Sequence, residues 1–352
     1  MLQRAWAGKG TLSTLLLPLS WIFGIVTGVR RFLYARGWLA SSQLSVPVLV
    51  VGNLVAGGAG KTPTVIALAA LLRASGYTPG IVSRGYGRRG DTVRIVEAGA
   101  DASEVGDEPL LLRRRTGVPV VVGRDRAAAG RFLLQAHADV DLIVSDDGLQ
   151  HLALSRDAEV IVFDERGGGN GRLLPAGPLR QHVPTRLLQG QVVLYNADAP
   201  STALPGHLAR RRLAGAVGLE AWWRGDAPSL AALASLRGRP VLAVAGLARP
   251  QRFFTMLREF GIDAEGYGLA DHHDFTTLPW PEGTTDVIVT EKDAVKLRPS
   301  RAISARVWVA ALDFWLEPAF EAALLSLLPP PRPTTARAIA SSAPLPHGNP
   351  PA

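Results

Sequence analysis

VPVLVVGNLVAGGAGKTP, at residues 46–63, is the clearest indication of the fold in this chain. Its apolar part, residues 46–51, predicts a buried strand, and a helical pattern has begun by residue 67. Between them lie Gly57, Gly58 and Gly60. A glycine-rich turn that joins a strand to a helix and ends in Gly-Lys-Thr is typical of a phosphate-binding loop, because backbone N–H groups and the start of the helix face the phosphate oxygens.

The two residues that follow the last glycine fit the same chemistry. Lys61 is long enough to reach the outer phosphates of a nucleotide, and the hydroxyl of Thr62 is a ligand for Mg²⁺. One position departs from the usual pattern, which has glycine where this chain has Val55. At this point an ordinary glycine turn between a strand and a helix therefore stays open as the alternative.

Composition limits the classes of partner. The chain has 352 residues, enough for about two domains, and a formal net charge of +8. Arginine carries this charge almost alone, since only four of the 38 basic residues are lysine. No arginine-rich segment is interleaved with aromatic residues as in an RNA-binding surface, so a face toward anionic lipid or a phosphorylated substrate explains the charge better than nucleic acid does. The absence of cysteine excludes disulfides and thiolate metal sites.

The segment at residues 11–29 contains no charged residue, and Lys9, Arg30 and Arg31 flank it. A helix of this length spans about 28 Å, against about 30 Å for the hydrocarbon core of a bilayer. Three interpretations stay open: an amphipathic anchor in the membrane interface, a single spanning anchor, and a buried core helix. Either membrane interpretation puts the following domain on the cytoplasmic side.

Strands and helices alternate after this segment. Strands are predicted at residues 46–51, 79–83, 118–122, 141–145, 159–164, 192–196, 240–245, 286–290 and 307–311, with helices at 64–75, 107–116, 124–138 and 250–260. The alternation predicts an α/β fold, with a mostly parallel sheet that helices cover on both faces. Ligands of such sheets bind at the carboxyl ends of the strands.

The predicted organisation has five parts. They are an N-terminal membrane-associated helix at 1–38, a P-loop domain at 39–200, a linker region of small and polar residues at 201–239, a smaller α/β domain at 240–328 and a disordered tail at 329–352. The tail is rich in proline, alanine and serine and lacks apolar periodicity.

Two pairs of acidic residues could carry chemistry beside the phosphate loop. Asp146 and Asp147 close the strand predicted at 141–145, where proteins hold Mg²⁺, although a turn aspartate is the structural alternative. Asp107 and Glu108 stand at the start of a predicted helix. They are either a cap with an acidic first turn, or they include a base that takes the proton of a hydroxyl attacking a phosphate.

The sequence DHHD at residues 271–274 is a third candidate, in the smaller domain. A solvated loop and a metal site are both open interpretations. If His272 reaches a carboxylate of the first domain, the pair could act as a general base, because the imidazole and the carboxylate tune each other's pKa.

Eight motifs occur in an order that resembles one family. They are VGNLVAGGAGKTP, VSRGYGR, GDEP, GRDR, SDDGLQH, GRLLPAGPLR, LADHHDF and VTEKDAVKL. Across about residues 10 to 325 the chain is similar to the tetraacyldisaccharide 4'-kinases, the lipid A 4'-kinases of Gram-negative bacteria. The family loop also lacks the glycine that is missing at Val55.

The resemblance implies an activity and a location. It implies ATP- and Mg²⁺-dependent phosphorylation of the 4'-hydroxyl of a tetraacylated glucosamine disaccharide 1-phosphate to give lipid IVA. The lipid substrate and the membrane surface are then the partners, with no nucleic acid and no obligate protein partner, at the cytoplasmic face of the bacterial inner membrane. A membrane-associated N-terminal helix and two α/β domains joined by a short two-stranded linker are implied as well, which makes 39–200 the P-loop kinase domain.

The resemblance also implies site residues. Asp107 pairs with His272 to deprotonate the hydroxyl. The implied metal ligands are Thr62, Glu108 and Asp146. The implied nucleotide and active-site residues are Asn53, Gly57, Gly58, Ala59, Gly60, Lys61, Thr62, Pro63, Arg126, Asp147, His151 and Arg180. One departure is Gln181, where the family commonly has glutamate, so a carboxylate role at that position is in doubt.

Two other classes of function stay in view. A phosphate-loop NTPase that acts on a protein partner would hydrolyse nucleotide without a lipid, with residues 271–273 as a metal-delivery loop. The second alternative is a membrane scaffold that binds nucleotide without catalysis. In such a protein, replacing Asp107 with alanine would leave the nucleotide affinity unchanged and cause no loss of activity. The order of the eight motifs argues against both.

Overall fold

The computed structural model describes residues 6, 8–270, 273–301 and 304–332. His272 and most of the tail predicted at 329–352 lie outside these residues. The predictions about them therefore stay predictions.

Twelve strands form one continuous sheet. They are β1 Val48–Gly52, β2 Pro79–Ser83, β3 Arg94–Ile95, β4 Val120–Val122, β5 Leu142–Asp146, β6 Ala158–Asp164, β7 Gln191–Asn196, β8 His207–Gly218, β9 Val241–Ala245, β10 Ala264–Gly268, β11 Asp286–Thr290 and β12 Arg306–Leu316. Their order across the sheet is β10-β9-β11-β12-β8-β7-β6-β1-β5-β2-β4-β3.

Helices cover the sheet. They are α1 Thr11–Leu15, α2 Leu17–Ala35, α3 Lys61–Ala74, α4 Ala102–Val105, α5 Asp107–Thr116, α6 Arg126–Ala136, α7 Leu219–Arg224, α8 Leu230–Ala234, α9 Pro250–Glu259, α10 Glu291–Ala294 and α11 Pro318–Ser326, with a 3-10 turn at Pro299–Arg301.

Neighbouring strands of the sheet run parallel except at β3–β4 and β8–β12. The predicted α/β class with a mostly parallel sheet is therefore confirmed. Every residue of β1 is buried, as expected for a parallel strand covered on both faces. Leu49 and Val51 join the core that contains Leu68 of α3, whereas Val48 and Val50 join the core that contains Leu133 of α6.

The region that the sequence indicates as loose contains the longest strand. β8 lies within residues 201–239 and pairs with β12 from Ala209↔Leu316 to Gly218↔Trp308. Three consecutive arginines, residues 210–212, interrupt the alternation of apolar and polar residues that would predict a strand. In the structure they are paired with Trp315, Phe314 and Asp313 of β12. Such cross-strand pairs of arginine with aromatic and acidic side chains stabilise a strand despite its charge. The division into domains at 201–239 stays a prediction, because the sheet is continuous through β8 and β12.

The N-terminal helices are polar on the side that faces the protein. Ser13 and Ser20 are buried and donate hydrogen bonds to the carbonyls of Ala176 and Leu173. Ile22 and Ile25 are about two-thirds exposed, at 59% and 66%. The interpretation of this segment as a buried core helix is therefore wrong, because its two buried side chains are serines and most of its large apolar side chains are exposed.

The part of the chain that the structure describes contains no helix both long and apolar enough to cross a membrane. This finding is contrary to the interpretation of residues 11–29 as a spanning anchor.

Candidate active site

A cleft of about 960 Å³ opens at the carboxyl ends of the central strands. Its walls come from the loop between β1 and α3, the ends of β5 and β11, the starts of α5 and α6, and α2 and α9. Parallel sheets place ligands at this edge. Of the predicted residues, the cleft is lined by Gly57, Gly58, Gly60, Lys61, Thr62, Pro63, Glu108, Arg126, Asp146, Asp147, His151 and Arg180.

The glycine loop has a shape that only glycine permits at two positions. Gly57 and Gly60 have φ angles of 94° and 88°, in the left-handed region. A Cβ atom at Gly60 would also lie 2.1 Å from Nδ2 of Asn196. α3 begins directly after Gly60, and Gly60, Lys61 and Thr62 all line the cleft. The first turn of a helix offers N–H groups and partial positive charge to an anion in this position.

Lys61 is held by two residues that the sequence also indicated. Its Nζ atom lies 3.3 Å from Oδ1 of Asn53 and 3.6 Å from Oδ1 of Asp147. Arg180 donates to both oxygens of Asp147, at 2.9 and 3.1 Å. Burial alone would raise the pKa of Asp147, but the charges of Lys61 and Arg180 outweigh it and hold that pKa below its ordinary value. Asp147 is therefore an anion that orients two cations in the cleft.

Asp146 is the residue that best fits a metal ion. It is 1% exposed at the end of β5, and its Oδ2 atom accepts a hydrogen bond from Ser83 at 2.9 Å. Within the part of the chain that the structure describes, its Oδ1 atom is buried without a hydrogen-bond partner. Burial, followed by the charges of Glu108 and Asp147, raises the pKa of Asp146 to about 7. A cation on Oδ1 would complete the bonding of this carboxylate and lower its pKa.

Residues 8–270, 273–301 and 304–332 contain no group of three or more His, Asp or Glu side chains arranged to hold a metal. Magnesium differs from zinc here, because one or two carboxylates together with phosphate oxygens and water commonly hold it. Thr62 and Glu108 line the same cleft as Asp146, so the predicted ligands fit Mg²⁺ in the presence of a nucleotide.

The start of α5 lies against the segment that begins with α10. Oδ2 of Asp107 is 3.9 Å from Nζ of Lys296, and Oε1 of Glu108 is 3.2 Å from Nζ of Lys292. Lys296 also lies over the ring of Phe275, 5.3 Å from its centroid. Phe275 is the third residue after His272 in the sequence. Because His272 is outside the described residues, its pairing with Asp107 stays a prediction.

His151 serves as a neutral acceptor. Its Nε2 atom accepts a hydrogen bond from the backbone N–H of Arg126 at 3.4 Å, at the start of α6. Burial lowers the pKa of His151 to about 4, and the charge of Arg126 acts in the same direction. The imidazole is thus uncharged at neutral pH.

Sequence reasoning missed several residues at the site. Asn196 and Arg166 contact the glycine loop, and Lys296 contacts the start of α5. A signal for Asn196 was present, because it closes an apolar strand at β7 just as Asp146 closes β5. Residues 290–293 have two roles: the side chain of Thr290 caps α10 by accepting from the N–H of Asp293, and residues 290–292 line the cleft.

The chain is similar over nearly its whole length to proteins of one family. The family model described as tetraacyldisaccharide-1-P 4'-kinase matches residues 12–329. The tetraacyldisaccharide 4'-kinase of Leptothrix cholodnii is 56% identical over 337 residues, which cover 94% of this chain and 97% of that protein. The protein of the same name from Methylibium petroleiphilum is 55% identical over 334 residues, covering 94% and 93%.

A solved structure shares the fold. The crystal structure of LpxK from Aquifex aeolicus in complex with ATP is 28% identical and matches with a TM-score of 0.75. The match covers 91% of this chain and the whole of the other.

Proposed function

Because the chain belongs to the tetraacyldisaccharide-1-P 4'-kinase family, it is a kinase, and we propose that its cleft transfers the γ-phosphate of ATP to the 4'-hydroxyl of tetraacyldisaccharide 1-phosphate. One observation carries the proposal. The same cleft is lined by the glycine loop, by the buried Asp146 and by Phe23, Thr27 and Arg30 of α2. A site for phosphate and a helix with an exposed apolar side therefore open onto one space.

The nucleotide phosphates bind the loop and the start of α3. Gly57, Gly58 and Gly60 provide backbone N–H groups, and Lys61 provides a charge that Asp147 and Asn53 already orient. Asp146, Thr62 and Glu108 hold Mg²⁺, which when bound neutralises charge on the phosphate oxygens. The Oδ1 atom of Asp146 supports this assignment, because it is buried and has no hydrogen-bond partner among the residues that the structure describes.

Asp107 acts as the base that takes the proton of the 4'-hydroxyl, and His272 is its partner. Asp107 stands at the start of α5, next to Glu108, which lines the cleft. Nζ of Lys296 lies 3.9 Å from Oδ2 of Asp107 and helps to fix the position of this carboxylate. Phosphoryl transfer depends mainly on positioning and charge neutralisation, so a base held by a fixed cation suits the reaction.

α1 and α2 place the enzyme at the membrane surface. Their exposed apolar side chains are Leu12, Leu15, Leu19, Trp21, Ile22, Ile25, Val26, Val29 and Phe32. An exposed apolar patch of this extent indicates an interaction surface, and basic residues at the end of the helix, Arg30, Arg31 and Arg36, suit anionic lipid. The acyl chains of the substrate stay in the cytoplasmic leaflet of the inner membrane while its sugar enters the cleft beside Phe23 and Thr27.

The test is transfer of labelled γ-phosphate from ATP to the tetraacyl disaccharide 1-phosphate in detergent micelles. Wild type should form the phosphorylated lipid, and Lys61→Met should lose about a hundredfold or more of the rate. Arg73→Lys is the matched control, because Arg73 lies at the other end of α3, where it donates to the carbonyl of Thr116. Equal ATP hydrolysis with and without lipid, with no lipid product, would instead favour an NTPase that acts on a protein partner.

A further inference from the structure

Three carbonyl groups of the glycine loop accept hydrogen bonds from side chains at the ends of two neighbouring strands. Arg166, just after β6, donates from Nη1 to the carbonyl of Ala56 and from Nη2 to that of Gly58, both at 3.3 Å. Asn196, the last residue of β7, donates from Nδ2 to the carbonyl of Ala59 at 2.9 Å. Both contacts come from the side of the loop where β6 and β7 end.

The direction of these carbonyls fixes the direction of the N–H groups. In a planar trans peptide, the C=O and the following N–H point in opposite directions. When the carbonyls of Ala56, Gly58 and Ala59 are drawn toward Arg166 and Asn196, the N–H groups that share their peptide planes point the other way. Those N–H groups belong to Gly57, Ala59 and Gly60, and a set of such groups is what binds a phosphate.

Arg166 is itself fixed by a buried anion. Asp164 is 0% exposed, and its Oδ1 and Oδ2 atoms accept from Nε of Arg166 at 3.0 and 2.9 Å. A second nitrogen, Nη2, lies 2.8 Å from Oδ2. The guanidinium therefore binds Asp164 on one edge and two loop carbonyls on the other, an arrangement that requires its planar fork of donors.

Asn196 is fixed in the same way by Arg211 of the neighbouring strand β8. It is 3% exposed, and its Oδ1 atom accepts from Nε of Arg211 at 2.7 Å, which assigns the amide nitrogen to the loop. Its amide approaches so closely that a Cβ at Gly60 would meet it at 2.1 Å. The left-handed glycine and the buried amide thus fit each other.

We propose that Arg166 and Asn196 are positioning residues of the nucleotide site: they orient the loop so that its N–H groups face the phosphates of ATP. The inference rests on the proposed function, because it takes the loop to be the ATP site. Neither residue needs to touch ATP. Their removal should therefore weaken ATP binding much more than it slows the chemical step, and binding of the lipid should not change.

Arg166→Lys is the first variant to test. Lysine keeps the charge that neutralises the buried Asp164, so the fold is retained, but one ammonium group cannot also reach two carbonyls. We expect KM for ATP to rise about tenfold, kcat to stay within about twofold, and KM for the lipid to be unchanged. The melting temperature without nucleotide should match wild type, and its increase on adding ATP should be smaller. Arg73→Lys, the same change at the far end of α3, should leave all of these values at wild type.

Asn196→Asp is an independent variant of the same size. It replaces the donor to Ala59 with an oxygen while Arg211 stays beside the new charge, so the carbonyl is repelled and KM for ATP should rise more than tenfold. Wild-type KM for ATP in both folded variants would overturn the inference and leave the kinase proposal intact. Calorimetry of ATP binding without lipid distinguishes failure of the inference from failure of the proposed function. Weaker ATP binding by the variants would support the inference. If wild type at the same time phosphorylates no lipid, the proposed function is overturned.

Discussion

The Oδ2 atom of Asp107 lies 3.9 Å from Nζ of Lys296, and the opposite end of the same helix is tied to the same region, since Arg115 pairs with Glu291. α5 is therefore attached at its start and at its end to the segment that begins with α10. These two contacts fix the proposed base relative to the wall of the cleft. Substitutions at Asp107 and at Arg115 test the two ends of the helix.

Asp107→Asn should lower kcat about a hundredfold or more, with KM for ATP close to wild type, because the amide keeps the shape of the side chain but cannot take a proton. The measurement is steady-state lipid phosphorylation at saturating ATP. Glu104→Gln in α4 is the control, since Glu104 is an exposed residue that pairs with Arg94. A kcat within threefold of wild type would contradict the assignment of Asp107.

Arg115→Met should reduce the free energy of unfolding by about 3–5 kcal/mol, because it leaves Glu291 buried without its counter-charge. Glu291 has only 6% of its side chain exposed. Burial raises its pKa even in the presence of Arg115. The folded variant should hold this carboxyl protonated to higher pH than the unfolded chain does, so the loss should grow as pH rises from 5 to 8.

Urea unfolding of wild type and variant at several pH values measures this loss. Arg115→Met with Glu291→Gln removes both charges, and it should recover much of the stability. A loss that is the same at every pH would show that Glu291 does not titrate in the variant.

Asp146→Asn should stabilise the protein at pH 8 more than at pH 5 when no nucleotide or Mg²⁺ is present. The folded pKa of Asp146, about 7, lies above its ordinary value of 3.8, so its contribution to stability is full below about pH 4 and is lost as pH rises through 7. Between pH 5 and pH 8 this difference should grow by about 3 kcal/mol, because only the rise from pH 5 to the pKa of about 7 contributes and asparagine does not titrate.

Thermal unfolding across this pH range is the measurement for Asp146. The gap between variant and wild type should widen with pH, and Mg²⁺ with ATP should narrow it, because the cation compensates the charge of the wild-type carboxylate. A gap that does not depend on pH would contradict the raised pKa. The variant should also be impaired as a kinase.

Replacing Ile22 and Ile25 with glutamate should reduce binding to anionic phospholipid vesicles about tenfold or more, since each exposed isoleucine would otherwise bury apolar area in the bilayer. Co-sedimentation measures the binding, and calorimetry of ATP binding should be unchanged. Leu230→Glu in α8 is the matched control, because Leu230 is 54% exposed and lies outside α1 and α2. Unchanged sedimentation of the double variant would rule out this face as the membrane contact.

The strands of the first half could be predicted because parallel strands covered on both faces are continuous apolar runs, as in Val48–Gly52 and Leu142–Asp146. β8 could not, because Arg210–Arg212 is stabilised by partners on β12 that lie about a hundred residues further along the chain. Pairing over such a sequence separation leaves no local pattern.

The cleft residues next to glycine motifs could be predicted, since Lys61, Asp146 and Asp147 stand at strand and helix ends. Arg166 could not, because its role comes from contact with two carbonyls that are remote in sequence. The orientation of α2 could not be predicted from the sequence either, because its apolar composition is compatible with a buried core helix as well as with a membrane helix. Only the hydrogen bonds of Ser13 and Ser20 decide which side faces inward.

The exposed apolar side of α2 affects how the reaction velocity depends on substrate concentration. A kinase that sits on a lipid surface through this helix meets its substrate by lateral diffusion in two dimensions. Its velocity then follows the mole fraction of substrate in the micelle or leaflet, and added inert detergent slows turnover by surface dilution even when the bulk concentration of substrate is constant.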